Sequence, residues 1–215
     1  MQSNGFNFFF NFFDAIYCIN LNERKDRLEL AYKEFESLGI TEGINVISAV
    51  KNEIGCRGCL ESHILIIKKA KEMGLKNILV LEDDVVFLEK DMDYYKNMIE
   101  EVKALPEFHL LYLGANTIQK LSREGDFLLK AKECLTTHAI CYNFSIYDKI
   151  ISDYDNNKIH ILDAYLRHEI QPMNKSYISN RLCATQRNGY SDIEKKDVNY
   201  VELIAWRFNY WNHGK

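Results

Sequence analysis

The sequence predicts an α/β fold with a mainly parallel central sheet. Three observations carry that expectation. Short apolar runs alternate with amphipathic helical stretches in β-α-β-α-β-α-β order through the first half of the 215 residues. One of the runs, Ile78 to Leu81, is four consecutive apolar residues, the pattern of a buried strand. Neither an internal repeat nor a low-complexity linker divides the chain.

The elements follow in order. Ala15 to Leu21 reads as the first buried strand. Leu28, Ala31, Tyr32, Phe35 and Leu38 then share one helical face, and Gly39 stands where a glycine stop belongs. Ile44 to Ile47 is a second strand. Cys59 to Met73 is a helix with Ile64, Ile67 and Ala70 inward, ended by Gly74. Ile78 to Leu81 is a third strand and runs directly into Glu82-Asp83-Asp84. A helix over Asp91 to Leu105 stops at Pro106. His109 to Leu113, closed by Gly114, is a fourth strand. Phe127 to Ala131, His138 to Tyr142 and Tyr177 to Leu182 are further strands. Short helices are expected at Ser145 to Ser152 and Leu162 to Glu169. Residues 186–197 read as a polar loop, and Val198 to Trp211 as a terminal helix with Val201, Ile204, Ala205 and Phe208 on one face. The expected organisation is a Phe-rich extension over residues 1–14, one domain over 15–197, and a C-terminal helix and tail over 198–215.

Composition excludes several classes. The formal charge is −4, so the basic excess of a nucleic-acid binder is absent and no nucleic-acid partner is expected. Six of the 12 phenylalanines fall within the first 13 residues. Asn7 and Asn11 interrupt that run and Asp14 ends it, short of the roughly 20 apolar residues that span a bilayer. Met1 to Gly5 has no positive charge and no small-residue cleavage site follows, unlike a secretory signal. The expectation is a cytoplasmic protein whose Phe-rich N-terminus makes a weak membrane-surface contact or packs on a partner. The six cysteines are then expected as reduced thiols. Cys56-Arg57-Gly58-Cys59 is a C-x-x-C, but no second close pair completes a structural zinc site.

Ligands of open α/β sheets bind beyond the carboxyl ends of the strands. Two such ends carry chemistry here. After the first strand come Arg24-Lys25-Asp26-Arg27, at a helix start where an anion is favoured and arginine forks match phosphate oxygens. A solvated first turn is the alternative. After the third strand come three consecutive acids, which repel one another unless a cation intervenes. Carboxylates are hard ligands suited to Mg²⁺ or Mn²⁺. In an extended segment Glu82 and Asp84 project to one side and Asp83 to the other, so the first two are expected to face one divalent ion together. A haloacid-dehalogenase phosphatase also places acids after an apolar strand, but Glu82 occupies the place of its nucleophilic Asp. No Walker lysine loop and no G-x-S-x-G is present.

Taken together these segments resemble glycosyltransferase family 25, which includes bacterial lipooligosaccharide galactosyltransferases and collagen galactosyltransferases. The likeness covers roughly residues 15–192. Its motifs stand here as Ile19-Asn20-Leu21 with Arg24-Lys25-Asp26-Arg27, Gly58-Cys59-Leu60-Glu61-Ser62-His63, Leu81-Glu82-Asp83-Asp84-Val85, Phe108 to Gly114, Thr137 to Tyr142, and Asp163-Ala164-Tyr165-Leu166. The resemblance implies a GT-A-like (Rossmann-like) fold, a UDP-sugar donor and a divalent metal, Mn²⁺ or Mg²⁺. It implies transfer of galactose or glucose, with inversion, to a glycan or hydroxylysine-type protein acceptor. Asp84 and Glu82 would hold the metal, and Asn20, Arg24, Arg27, Ser62, His63, Glu82 and Asp83 would bind the donor. Asp163 would deprotonate the acceptor hydroxyl, unless it is only a helix cap. His138 is a weaker candidate of the same kind as His63. The polar stretch from Gln186 to Asp192 resembles the family's late segment, and its plainer reading is an ordinary loop. Cys56 stands where the family often has an acid. A catalytically inactive nucleotide-sugar or glycan binder of the same fold is the alternative.

Overall fold

In the computed structural model, residues 11–191, 193 and 195–214 are described. Phe6, Phe8, Phe9 and Phe10 lie outside these, as do Asp192 and the first ten residues of the expected extension. Phe12 and Phe13, at the end of that stretch, are buried. They are 6% and 1% exposed, and Phe12 stacks on Phe108 with centroids 6.0 Å apart. Burial of two aromatic rings draws the start of the domain back across Asp14, whose carboxylate accepts from the backbone N–H groups of Lys76 and Asn77.

The central sheet is built as the hydrophobic runs require. β1 (Ala15–Asn20) lies between β2 (Ile44–Ser48) and β3 (Asn77–Glu82), parallel to both. The first crossover is α1 (Lys25–Leu38), closed by Gly39 in the left-handed conformation. The second is α2 (Gly55–Glu72). β4 (Val85–Phe87) follows β3 after a two-residue turn. α3 (Met92–Ala104) is capped by Asp91, whose side chain accepts from Asp93 N–H, and leads to β5 (Leu110–Tyr112). β6 (Asn116–Thr117), β7 (Leu128–Lys130), β8 (Cys134–Leu135) and β9 (Ala139–Asn143) come next. Then follow α4 (Tyr147–Asp155) and α5 (Leu162–Tyr165), the latter running on into a wider turn over Leu166–Ile170. β10 (Ser176–Ser179) and β11 (Ala184–Gln186) precede a hairpin of β12 (Gly189–Ser191) and β13 (Lys196–Val198), and α6 (Tyr200–His213) closes the chain.

The seven-stranded sheet has the order β2-β1-β3-β9-β5-β10-β7. β2, β1, β3, β5 and β10 run one way, while β9 and β7 oppose them. The expected mainly parallel α/β sheet is therefore present, with an antiparallel strand inserted at its centre. β9 enters from a loop and needs no crossover helix, which is why it can run against its neighbours. Side chains alternate between two cores. Ile78 and Val80 of β3, with Ile140 and Tyr142 of β9, join Leu60, Ile64 and Ile67 of α2 on one face. Leu79 and Leu81, with Ala139 and Cys141, join Phe35 of α1 and Met98 and Ile99 of α3 on the other. No disulfide links the six cysteines. Among the described residues no helix is long and apolar enough to cross a membrane.

One position sets the approach of the late strands. After β5, the Leu113 carbonyl accepts from both Cys183 and Ala184 N–H groups, at 3.0 and 3.1 Å. A Cβ at Gly114 would lie 1.8 Å from the Ala184 carbonyl oxygen. Backbone cannot yield there as a flexible side chain would. Gly114→Ala is expected to cost about 3 kcal/mol or more of stability. An unchanged urea midpoint would show that the crossing has slack.

Candidate active site

The site forms where β1, β2 and β3 end, beside the reversed strand β9. β3 stops at Glu82, and Asp83-Asp84 make a tight turn into β4. That turn overrides the alternation expected of an extended segment. Asp83 and Asp84, not Glu82 and Asp84, share a partner: Arg27, from the first turns of α1, lies 2.5 Å from Asp83 Oδ1 and 3.0 Å from Asp84 Oδ2. Gln186 Nε2 donates to Asp84 Oδ2 at 3.4 Å, and Arg187 N–H donates to the Asp84 carbonyl at 2.6 Å. Asp84 Oδ1 is buried without a hydrogen-bond partner. Burial, then the charges of Glu82 and Asp83, push the Asp84 carboxyl up to about 7 against the pull of Arg27.

Glu82 is engaged on its other side. Thr137 Oγ1 donates to its Oε1 at 2.8 Å, and His63 Nε2 lies 3.7 Å from the same oxygen. Burial alone would raise the Glu82 carboxyl, but His63 and Thr137 outweigh it and hold the group below its ordinary value. His63 is fully buried, with Nδ1 hydrogen-bonded to the Tyr142 hydroxyl at 3.0 Å. His138 is likewise buried and its basicity is depressed by desolvation; Nδ1 meets Thr136 Oγ1 at 3.1 Å.

Three cavities meet around the acidic turn. The first, of about 340 Å³, is walled by Ile19, Leu21, Val50, Arg24, Arg27 and Glu82. The second, of about 330 Å³, brings Glu82, Asp84 and Asp163 together with Asn116, Thr137 and Gln186. The third, of about 240 Å³, holds Asp83 and Asp84 with Arg24, Arg27, Arg187 and Tyr200. Seven of the expected site residues therefore line cavities directly: Arg24, Arg27, Ser62, Glu82, Asp83, Asp84 and Asp163. Ser62 lines the first cavity. Asn20 and His63 line none of the three. The Asn20 amide donates to the Leu21 carbonyl at 2.7 Å and closes the end of β1, and His63 stands behind Glu82. Both therefore stand behind the cavity walls rather than in them.

Asp163 is the second residue of α5, after the cap Ile161, so the helix-cap alternative does not describe it. Its Oδ2 accepts from Thr136 N–H at 3.3 Å and its Oδ1 from Ala164 N–H at 2.7 Å.

α2 begins four residues before the expected Cys59, which places the whole C-x-x-C in its first turns. Cys56 lines the second cavity, while Cys59 lines the first and second. Ser62 Oγ donates to the Gly58 carbonyl at 2.7 Å and accepts from Val50 N–H at 2.8 Å, tying the loop after β2 across the helix. A Cβ at Gly58 would lie 2.5 Å from the Val50 carbonyl oxygen. Gly58→Ala is expected to shift that loop, which walls the 340 Å³ cavity, and to weaken about tenfold the UDP binding that the family resemblance implies, while a folded protein remains. Isothermal titration with UDP checks this, and unaltered binding would place the nucleotide elsewhere.

The polar stretch after residue 185 is not an ordinary loop. Gln186 is in β11, paired with Val85 of β4, and Arg187 reaches Glu34 of α1 at 3.4 Å. Ser191 lines the second and third cavities and Ile193 the first and second. Thr137, Gln186, Asn116 and Tyr200 were not expected in the site. Thr137 carries a sequence signal, since it opens the motif that runs to Tyr142. Gln186 opens the stretch that resembles the family's late segment, while Asn116 and Tyr200 arrive by non-local pairing that no local pattern announces.

Residues 51–191 match the family model described as glycosyltransferase family 25, LPS biosynthesis protein. The chain belongs to glycosyltransferase family 25. The matched span of this family 25 chain contains the acidic turn, Asp163 and the C-x-x-C; Arg24 and Arg27 precede it. The chain is 26% identical over 134 residues to procollagen galactosyltransferase 2 of Mus musculus. That match covers 50% of this chain and 21% of the mouse protein, so the chain corresponds to about a fifth of that curated relative's length. Among solved structures, a glycosyltransferase involved in glycosylation of the PBCV-1 major capsid is 12% identical with a TM-score of 0.49, covering 76% of this chain and 79% of its own. UDP-glucose pyrophosphorylase complexed with UDP-glucose is 11% identical with a TM-score of 0.46, covering 91% and 80%. At these scores neither structure adds weight to the family assignment.

Proposed function

We propose that this family 25 chain transfers a hexose, galactose or glucose, from a UDP-sugar to a glycan or hydroxylysine-type acceptor with inversion. The observation that carries this reading is the junction of cavities at one acidic turn. Basic residues at the start of α1 face it from one side and a separate carboxylate, Asp163, from another. Arg24 and Arg27 would bind the diphosphate by charge-assisted hydrogen bonds. The apolar wall of Ile19, Leu21 and Val50 would take the base. In the second cavity Asp163 would accept the proton of the acceptor hydroxyl as that oxygen attacks the sugar carbon from the face opposite UDP.

The residues fit the divalent cation that the family resemblance implies. Two acids, Asp83 and Asp84, face the guanidinium of Arg27 at this turn with Glu82 beside them, and Asp84 Oδ1 is buried with no donor to satisfy it. Asp84, with Glu82 and Asp83 beside it, offers the hard oxygen ligands that Mn²⁺ or Mg²⁺ takes. Bound there, the ion would supply Lewis-acid stabilisation of the departing diphosphate.

The test is a donor-hydrolysis and transfer screen across UDP-sugars, with and without Mn²⁺. Cation-dependent release of UDP, lost in Asp163→Asn with UDP binding intact, supports the reading. UDP binding without turnover on any acceptor would instead mark a nucleotide-sugar binder. No binding of UDP or any UDP-sugar would overturn both.

A further inference from the structure

Cys59 and His63 lie one helical turn apart on α2 and so share a face. That face meets the end of β3, where Glu82 stands. A ligand atom of each, the Cys59 thiol, a His63 ring nitrogen and a Glu82 carboxylate oxygen, lies within 4.8 Å of the others. His63 is fully buried, and its Nε2 has no hydrogen-bond partner. The other ring nitrogen, Nδ1, is held by the Tyr142 hydroxyl at 3.0 Å. With the proton on Nδ1, this bond presents the Nε2 lone pair, the arrangement a metal-ligating histidine uses to fix its ring and tautomer.

We infer that Cys59, His63 and Glu82 form a zinc site, distinct from the Asp83–Asp84 side of the acidic turn. The donor set is one sulfur, one nitrogen and one oxygen, which suits Zn²⁺ and not the hard cations of the neighbouring carboxylates. Zinc bond lengths put tetrahedral ligands about 3.3–3.8 Å apart, and the three ligand atoms already lie within 4.8 Å of one another, so side-chain rotations that move them by roughly an ångström suffice. Cys59 and Glu82 both line the first and second cavities, so the fourth coordination position opens where those cavities meet and takes a water or substrate oxygen. Thr137 lies at the same place, 3.9 Å from Cys59 Sγ and donating to Glu82. On binding, Zn²⁺ takes Cys59 as the thiolate and its proton leaves to solvent. The C-x-x-C spacing does not announce this site, because its second cysteine pairs with a histidine four residues on and with an acid from another strand.

The readouts need no donor, acceptor or Mn²⁺, so loss of the transferase reading leaves them intact. Full-length protein purified with a chelator is titrated with Co²⁺ and then Zn²⁺. One thiolate-bound Co²⁺ per chain is expected, seen as a thiolate-to-cobalt charge-transfer band that Zn²⁺ abolishes. Cys59→Ser should remove the band, and Cys56→Ser should keep it. Absence of the band, or its survival in Cys59→Ser, overturns the site and leaves His63 and Glu82 as an electrostatic contact. Should Cys59→Ser fail to fold, alkylation of the unsubstituted protein decides. Zinc is expected to slow modification of Cys59 at least tenfold and leave Cys56 unchanged, and equal slowing of both, or of neither, overturns it.

Discussion

Asp84→Asn is expected to cut the proposed transfer sharply and at the same time to stabilise the cation-free protein at neutral and higher pH. The Asp84 carboxyl is raised to about 7 by burial and by Glu82 and Asp83. A carboxyl that is harder to ionise in the folded chain keeps its proton there after the unfolded chain has lost it. Below about pH 4 both states are protonated and the group contributes nothing. Between about 4 and 7 the folded state binds more protons, so stability falls as pH rises. Above that the full penalty persists. That difference corresponds to about 4 kcal/mol at most, and the neutral amide surrenders part of it by losing its ion pair with Arg27. A net gain on the order of 2 kcal/mol at pH 8, and none at pH 4, is expected in chelator. Transfer should fall at least about a hundredfold, as when a group that stabilises developing charge is removed. Denaturant midpoints of both proteins at the two pH values, with a UDP-release assay, give both answers. Equal midpoints at pH 8 would show that Asp84 is not strained in the fold, and undiminished transfer would remove it from the mechanism.

Arg27→Ala acts in the opposite direction. Arg27 lies against both Asp83 and Asp84, with 17% of its side chain exposed and 10% and 18% of theirs. Its removal leaves two acids beside Glu82 with that cation gone, the situation in which breaking a buried pair costs about 3–5 kcal/mol. The loss should be largest at pH 8, where Asp84 is ionised, and smaller at pH 5, where it carries its proton. Millimolar Mn²⁺ should restore part of the stability, because a cation at the turn replaces the missing charge. Transfer should not recover with it, since the diphosphate loses its guanidinium. Equal destabilisation at both pH values would mean that the side chain matters only for packing.

The two substitutions oppose each other because the turn is built for charge, not for stability. Glu82-Asp83-Asp84 follow directly on a fully buried strand, which positions them rigidly but denies them water. That conflict is legible in the residue order itself: four apolar residues running into three acids is costly unless a cation is recruited. The helix-start arginines are legible for the same reason.

What the amino-acid order settled by itself was local. Continuous apolar runs and 3.6-residue spacing located the principal strands and most helices, Gly39 and Pro106 marked helix ends, and the short motifs in order pointed to family 25. These features are legible because hydrophobic periodicity and backbone restriction act within a few residues. Only the tertiary structure decided the rest. It set β9 antiparallel between β3 and β5, and it paired Gly189–Ser191 with Lys196–Val198 beside the cavities. It sent Glu82 toward His63 and Thr137 while Asp83 and Asp84 turned to Arg27. Each of these depends on partners tens of residues away, and a two-residue turn reverses the side on which an acid stands. The residue types were present in the sequence, but their pairing was a property of the closed sheet.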